Sequence, residues 1–244
     1  MISSIKFDRG YQVKLTGIGR KKIQFNNRLN LLSGPNGSGK STILKALAES
    51  AGCADGGWSS SDKGPAGKYS SVKTVIGSIP SSSPLIIMET ADSSYSVEWD
   101  GSPVFFQDCY TNSEKSFINP DFFDDYTNLR STGEKRIGLI NELINYIEDR
   151  FLTWKMKKED RPTLLLDEID NHIGFAGQAL LWKEIFPRLI KKYQLVVSTH
   201  SIFPLLLKKD NSLRQDNIIS LYKGYEDICI NELAKAVDFY NSST

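Results

Sequence analysis

The chain has 244 residues, 40% of them hydrophobic, enough for one large α/β domain or two small ones with a sizeable core. Lysine and arginine number 30 against 29 aspartates and glutamates, so the net charge of +1 excludes a global electrostatic pull toward nucleic acid or anionic lipid. Cys53, Cys109 and Cys229 are scattered and odd in number, which fits neither a disulfide framework nor a metal knuckle and points to a reducing cytoplasm. No signal-peptide core opens the chain, and no apolar run reaches the roughly 18 residues of a membrane span.

In chain order, residues 5–15, 22–25 and 29–33 read as strands, with Asn26 and Asn27 as turn residues. A Gly-rich loop follows at once, and residues 41–50 carry Ile43, Leu44 and Leu47 at helical spacing. Composition then shifts to Gly, Ser and Pro over residues 51–83, the mark of loops rather than core. Residues 85–89, 95–99 and 104–107 read as short strands of a small β-rich subdomain. Beyond it, helix and strand alternate as a parallel sheet requires: a helix over 133–157, a strand over 163–166, and a helix over 175–193 kinked at Pro187. A buried strand over 194–199, strands over 218–222 and 228–231, and a last helix over 232–240 complete the pattern.

Gly34-Pro35-Asn36-Gly37-Ser38-Gly39-Lys40-Ser41 matches G-x-x-x-x-G-K-[ST], in which backbone N–H groups and a helix N-terminus surround phosphates. Asn36, Gly37, Ser38, Gly39 and Thr42 belong to that cradle; Lys40 would reach the β and γ phosphates, and Ser41 would bind Mg²⁺. Asp167 and Glu168 end an apolar strand, where open α/β sheets bind ligands. Asp167 would complete the Mg²⁺ shell and Glu168 would polarise water, the competing reading being a helix start capped by Asp. His200 follows the 194–199 strand, at the place of a γ-phosphate sensor or of a hydrogen-bonded structural histidine.

The order of these motifs, with Ser131-Thr132-Gly133-Glu134-Lys135 opening a helix and Ser198-Thr199-His200-Ser201 near the end, resembles the ABC ATPases. The resemblance implies a P-loop NTPase of α/β class in one domain over 1–244. Within it, residues 51–130 would form a variable β-rich and helical lobe, and residues 131–244 would hold the signature helix, Walker B and the His switch. Ser131 and Gly133 would bind the γ-phosphate of ATP held by an opposite subunit, though Thr132 stands where a glycine is usual; an ordinary serine N-cap is the alternative.

Asp167-Glu168-Ile169-Asp170-Asn171-His172-Ile173 is similar to the soluble SMC, RecF and OLD-like branch, and the Ser-x-Leu-Asp run expected of a transporter subunit is missing. Asp170 and Asn171 become a D-loop crossing the dimer axis, or a polar turn. Gln107 takes the place of the Mg²⁺-contacting Q-loop glutamine, or is a polar strand end, and Tyr11 stacks on adenine or packs in the sheet. Basic runs near residues 20–22, 155–158, 188–192 and 208–209 read as solvated faces or as a DNA-backbone groove, and the four tryptophans as packing.

Three functions follow from the resemblance: a soluble ATPase switch for a separate effector in DNA maintenance or phage defence, the engine of a membrane transporter, or a nucleotide-binding module of little turnover. The first implies an ATP-dependent homodimer with ATP and Mg²⁺ as cofactors, possible DNA contact and no membrane span.

Overall fold

The computed structural model describes residues 1–53, 57–59, 73–78, 84–108, 145, 161–171, 173–207 and 217–242; the expectations for Ser131, Gly133 and the rest of the 131–135 segment lie outside them. Eleven strands among the described residues form two sheets: β1 (Ile2–Arg9), β2 (Lys22–Gln24), β3 (Leu29–Ser33), β4 (Gly57–Ser59), β5 (Lys73–Ser78), β6 (Pro84–Glu89), β7 (Ser94–Trp99), β8 (Val104–Asp108), β9 (Thr163–Asp167), β10 (Gln194–Ser198) and β11 (Asn217–Ser220). An antiparallel sheet runs β2-β1-β7-β6-β5, and a second runs β11-β3-β10-β9-β8-β4, parallel except where β4 meets β8.

The parallel sheet is covered on both faces, which is why its strands read as continuous apolar runs. Alternate residues go to opposite cores. Leu32, Leu165, Val196, Val104 and Phe106 join α1 (Lys40–Ala51) and the inner face of the antiparallel sheet, including Ile5, Phe7, Val97 and Trp99. Leu31, Leu164, Leu166, Leu195, Val197 and Phe105 pack instead on the helical segment that begins at Phe175, with Trp182 and Phe186 fully buried. The layers are thus antiparallel sheet, α1, parallel sheet, helix.

The two sheets meet at a buried glutamine. Gln194 accepts at Oε1 from the Ile2 N–H (2.9 Å) and the Thr163 hydroxyl (2.7 Å), and donates from Nε2 to the Ile2 and Asn26 carbonyls (2.7 and 2.6 Å). One amide therefore ties β1, β9, β10 and the turn before β3.

Several expected boundaries move for physical reasons. The first strand stops at Arg9 rather than running to Leu15, because Gly10 adopts φ +118, where a Cβ would lie 2.3 Å from Gln12 Oε1; a 3-10 turn, Tyr11–Lys14, follows. The expected three-strand subdomain is divided: β6 and β7 join β1, while β8, buried at Val104, Phe105 and Phe106, enters the parallel sheet beside β9. Two strands, β4 and β5, lie in the Gly/Ser-rich stretch read as loop; β5 carries Thr74, Val75 and Ile76, whose branching favours strand, and pairs with β6.

The helix ahead of Pro187 is interrupted rather than merely kinked: α2 (Phe175–Leu180) passes into a π-helical turn, Leu181–Ile185, before α3 (Phe186–Leu189). After α4 (Phe203–Leu207), the predicted strand over 228–231 is helix instead, inside α5 (Tyr225–Ser242). Glu226 and Asp227 in its first turn favour the helix dipole, and that outweighs the strand preference of Ile228 and Ile230. No helix among the described residues is long and apolar enough to cross a membrane.

Gln194→Leu removes the amide that joins the sheets and strands the Ile2 N–H and the Thr163 hydroxyl. Loss of about 3 kcal/mol is expected in urea denaturation; a loss below about 0.5 kcal/mol, the range of ordinary surface changes, would show that the junction is not a brace.

Candidate functional site

Parallel pairing brings three loops to one edge. Ser198 of β10 sits opposite Leu32 of β3 and Asp167 of β9, so the residues that follow each strand emerge side by side. The loop after β3 turns directly into α1. Gly39 has φ +106, and a Cβ there would come within 2.6 Å of Ile18 Cδ1, so only glycine lets the chain enter the helix at this point. Asn36 and Gly37 form the exposed tip, Ser38 and Gly39 are buried beneath it, and Lys40, Ser41 and Thr42 begin α1. Ser38 Oγ is buried without a hydrogen-bond partner.

Lys40 is 5% exposed and donates from Nζ to the Gly34 carbonyl at 2.9 Å and the Pro35 carbonyl at 3.3 Å. Burial pushes its ammonium below the ordinary lysine pKa, against the raising influence of Glu168 and Asp167. A buried cation with this environment is suited to an anion arriving over the loop.

Asp167 lies 3% exposed across from α1. Its Oδ1 accepts from Ser41 Oγ at 3.1 Å and from Ser198 Oγ at 2.5 Å. Burial raises its carboxyl pKa despite both hydroxyls. The paired oxygens of Ser41 and Asp167 are the hard donors Mg²⁺ prefers, and one carboxylate with phosphate oxygens is its common protein setting. Ser198 went unassigned in the motif reading, yet it holds Asp167 in place and also accepts from the Glu168 N–H at 3.1 Å. Its signal in the sequence was its position at the end of the strand that leads to His200.

Glu168 is the only non-glycine among the described residues with positive φ, at +52. Such a left-handed glutamate is strained by about 1–3 kcal/mol, and its N–H is held by the Ser198 carbonyl and hydroxyl. In this conformation Glu168 Oε1 lies 3.0 Å from His200 Nε2. His200 is 42% exposed at its side chain and Glu168 15%, so the pair opens to solvent beside the phosphate loop.

The remaining candidates divide. Gln107 aligns with Leu166 on the neighbouring strand, at the correct end of the sheet, but its Nε2 donates to the Asp108 carbonyl. Asp170, given as a D-loop residue or polar turn, is 4% exposed and accepts from Thr199 and Trp182. Tyr11 does not pack in the sheet, being 63% exposed in the turn that leads to Ile18 under Gly39. Trp99 and Trp182 are core residues, and Lys22 of the first basic run pairs with Glu98 at 2.7 Å.

Residues 14–235 match a family of AAA domains. Among solved structures, the SMC head domain from Thermotoga maritima is similar to this chain at 17% identity, covering 82% of this chain and 89% of that one with a TM-score of 0.46. No curated protein matches. The family match spans the phosphate loop, the Asp167-Glu168 pair and His200, and the described strands and helices form the mixed α/β arrangement expected of them. The chain belongs to the AAA domain family and has a P-loop NTPase fold.

Proposed function

We propose that the chain binds ATP with Mg²⁺ and hydrolyses it within a two-fold dimer, as a switch for a separate protein effector. The observation that carries this reading is the convergence of Lys40, Ser41, Asp167, Glu168 and His200 at one edge of the parallel sheet, with the Ser41–Asp167 and Glu168–His200 contacts already at 3.1 and 3.0 Å.

The α1 N-terminus and the loop N–H groups receive the phosphates, and Lys40 exchanges its bonds to Gly34 and Pro35 for phosphate oxygens. Ser41 and Asp167 would hold Mg²⁺, which when bound would supply positive charge against the phosphate oxygens. Glu168 accepts the proton of the attacking water as its oxygen joins the γ-phosphorus and the bond to the ADP oxygen breaks. His200 orients Glu168 and faces the same space. In the dimer, Ser131 and Gly133 of one copy would close on the ATP of the other, and this assignment rests on the motif order alone. A role in DNA maintenance or phage defence fits the likeness of the 167–173 run to the soluble ATPases.

Lys40→Ala is expected to abolish ATP binding in calorimetry, and wild-type affinity would remove the phosphate-loop assignment of residues 34–41. Glu168→Gln is expected to keep ATP binding and slow turnover by about 10² to 10⁴, and with ATP to elute as a dimer on size exclusion; a monomer with and without ATP contradicts the dimer.

Ser131→Arg tests the signature separately. Alone it should bind ATP yet neither dimerise nor turn over; mixed with Lys40→Ala it should recover part of the activity, because one heterodimeric site keeps an intact loop and an intact signature. Dimerisation of Ser131→Arg by itself, measured by light scattering with ATP, would show that the signature lies elsewhere.

A further inference from the structure

Outside the groups that would meet the nucleotide, one buried carboxylate is committed to the loops that carry them. Asp170 follows Glu168 by two residues and is 4% exposed. Its Oδ2 accepts from the Thr199 hydroxyl at 2.5 Å and from the Trp182 indole N–H at 3.2 Å. Thr199 immediately precedes His200, and its Oγ1 also accepts from the Ser201 N–H at 2.8 Å, so the hydroxyl sits at the centre of the turn that presents the imidazole.

We propose that Asp170 is a positioning residue for the Glu168–His200 pair, clamping the turn after β10 to the turn after β9 through Thr199 and anchoring both to the helical layer through Trp182. This rests on the reading of Glu168 as the base. Three geometric facts support it. The two turns are joined at their bases by the Glu168 N–H bonds to Ser198 and at their tips by the Glu168–His200 contact, and Asp170–Thr199 is a third tie on the buried side. A left-handed Glu168 persists only where its surroundings over-determine it, and the ties at Ser198, His200 and Asp170 surround it in sequence and in space.

The third fact concerns the anchor. Trp182 is 0% exposed, stacks edge-on against Phe186 with centroids 4.5 Å apart, and lies within the π-helical turn Leu181–Ile185. Such turns shift the residues that follow by one position relative to a regular helix and recur at functional sites. Here the turn carries the residue whose indole N–H reaches Asp170. Burying Asp170 without two donors would be costly, and burial does push its carboxyl above the ordinary aspartate pKa, offset by Thr199 and Trp182. A carboxylate kept at such a cost is explained by the turns it joins.

The test uses the full chain and reads turnover against ATP affinity. Thr199→Val preserves shape and removes the hydroxyl; it is expected to lower kcat roughly ten- to a hundred-fold, as small misplacements of catalytic groups do, with the Kd for ATP changed less than about twofold. Thr199→Ser should restore most of the rate. Trp182→Phe, which keeps a ring but lacks the N–H donor, should lower kcat in the same direction and serves if the valine variant does not fold.

In a Glu168→Gln background, Thr199→Val should cost no further rate, because the group it positions is already lost. Undiminished turnover in Glu168→Gln alone would sink the base assignment and not the clamp geometry. A slowed Glu168→Gln together with an unaffected Thr199→Val, a parallel loss of ATP affinity, or a full additional loss in the double variant would overturn the positioning role.

Discussion

Everything in the site depends on β10 lying between β3 and β9 in parallel register. That single strand carries Gln194 at one end and Ser198 at the other. The first makes four hydrogen bonds, two of them to Ile2 of the other sheet; the second meets Asp167 and the Glu168 N–H. Between them Leu195, Val196 and Val197 alternate between the two cores, so a slip of one residue would exchange the faces and misplace both polar ends together. The apolar middle thereby fixes the polar termini without any of its atoms reaching the site.

Polarity at the site is bought locally. Asp167, Asp170 and Lys40 are all at or below 5% exposure, and each is met by neutral hydroxyl, indole or carbonyl partners on neighbouring elements. Hydrogen bonds to neutral groups leave the charges partly uncompensated, as the pKa directions of all three show. The fold thus holds a buried ammonium and a buried carboxylate at one edge of the parallel sheet.

Much of this was legible from residues alone, and the reasons differ. The phosphate loop is a local motif whose glycines and following helix are set by neighbours in sequence, and β3, β9 and β10 are apolar runs that need no distant information to be read as buried strands. What sequence patterns could not supply is who pairs with whom. β6, β7 and β8 are similar short strands, yet they go to different sheets, and only the burial of β8 on both faces separates them. The inward bonds of Asp170 were hidden for the same reason: the Asp-Asn pair reads as a polar turn or D-loop, and the partners that claim Asp170, Thr199 and Trp182, are 29 and 12 residues away. The 228–231 strand failed because branched residues dominated a four-residue window while the helix of which they are part extends over 18 residues.

The partner lists of β1 and β3 also bear on how the protein comes to be made. β3, early in the chain, pairs only with β10 and β11, and the β1 backbone at Ile2 is bound to Gln194 across 192 positions. At ribosomal rates of about 5–20 residues per second, roughly eight to thirty seconds separate the emergence of β3 from that of its first partner, β10. Throughout that interval the Leu-Asn-Leu-Leu run of β3 is an unpaired apolar strand and the glycine loop that follows it has no sheet to leave from. Nascent chains are therefore exposed to chaperones and to one another at the segment that later becomes the centre of the sheet, and the phosphate loop is among the last features to take shape although it is among the first to be synthesised.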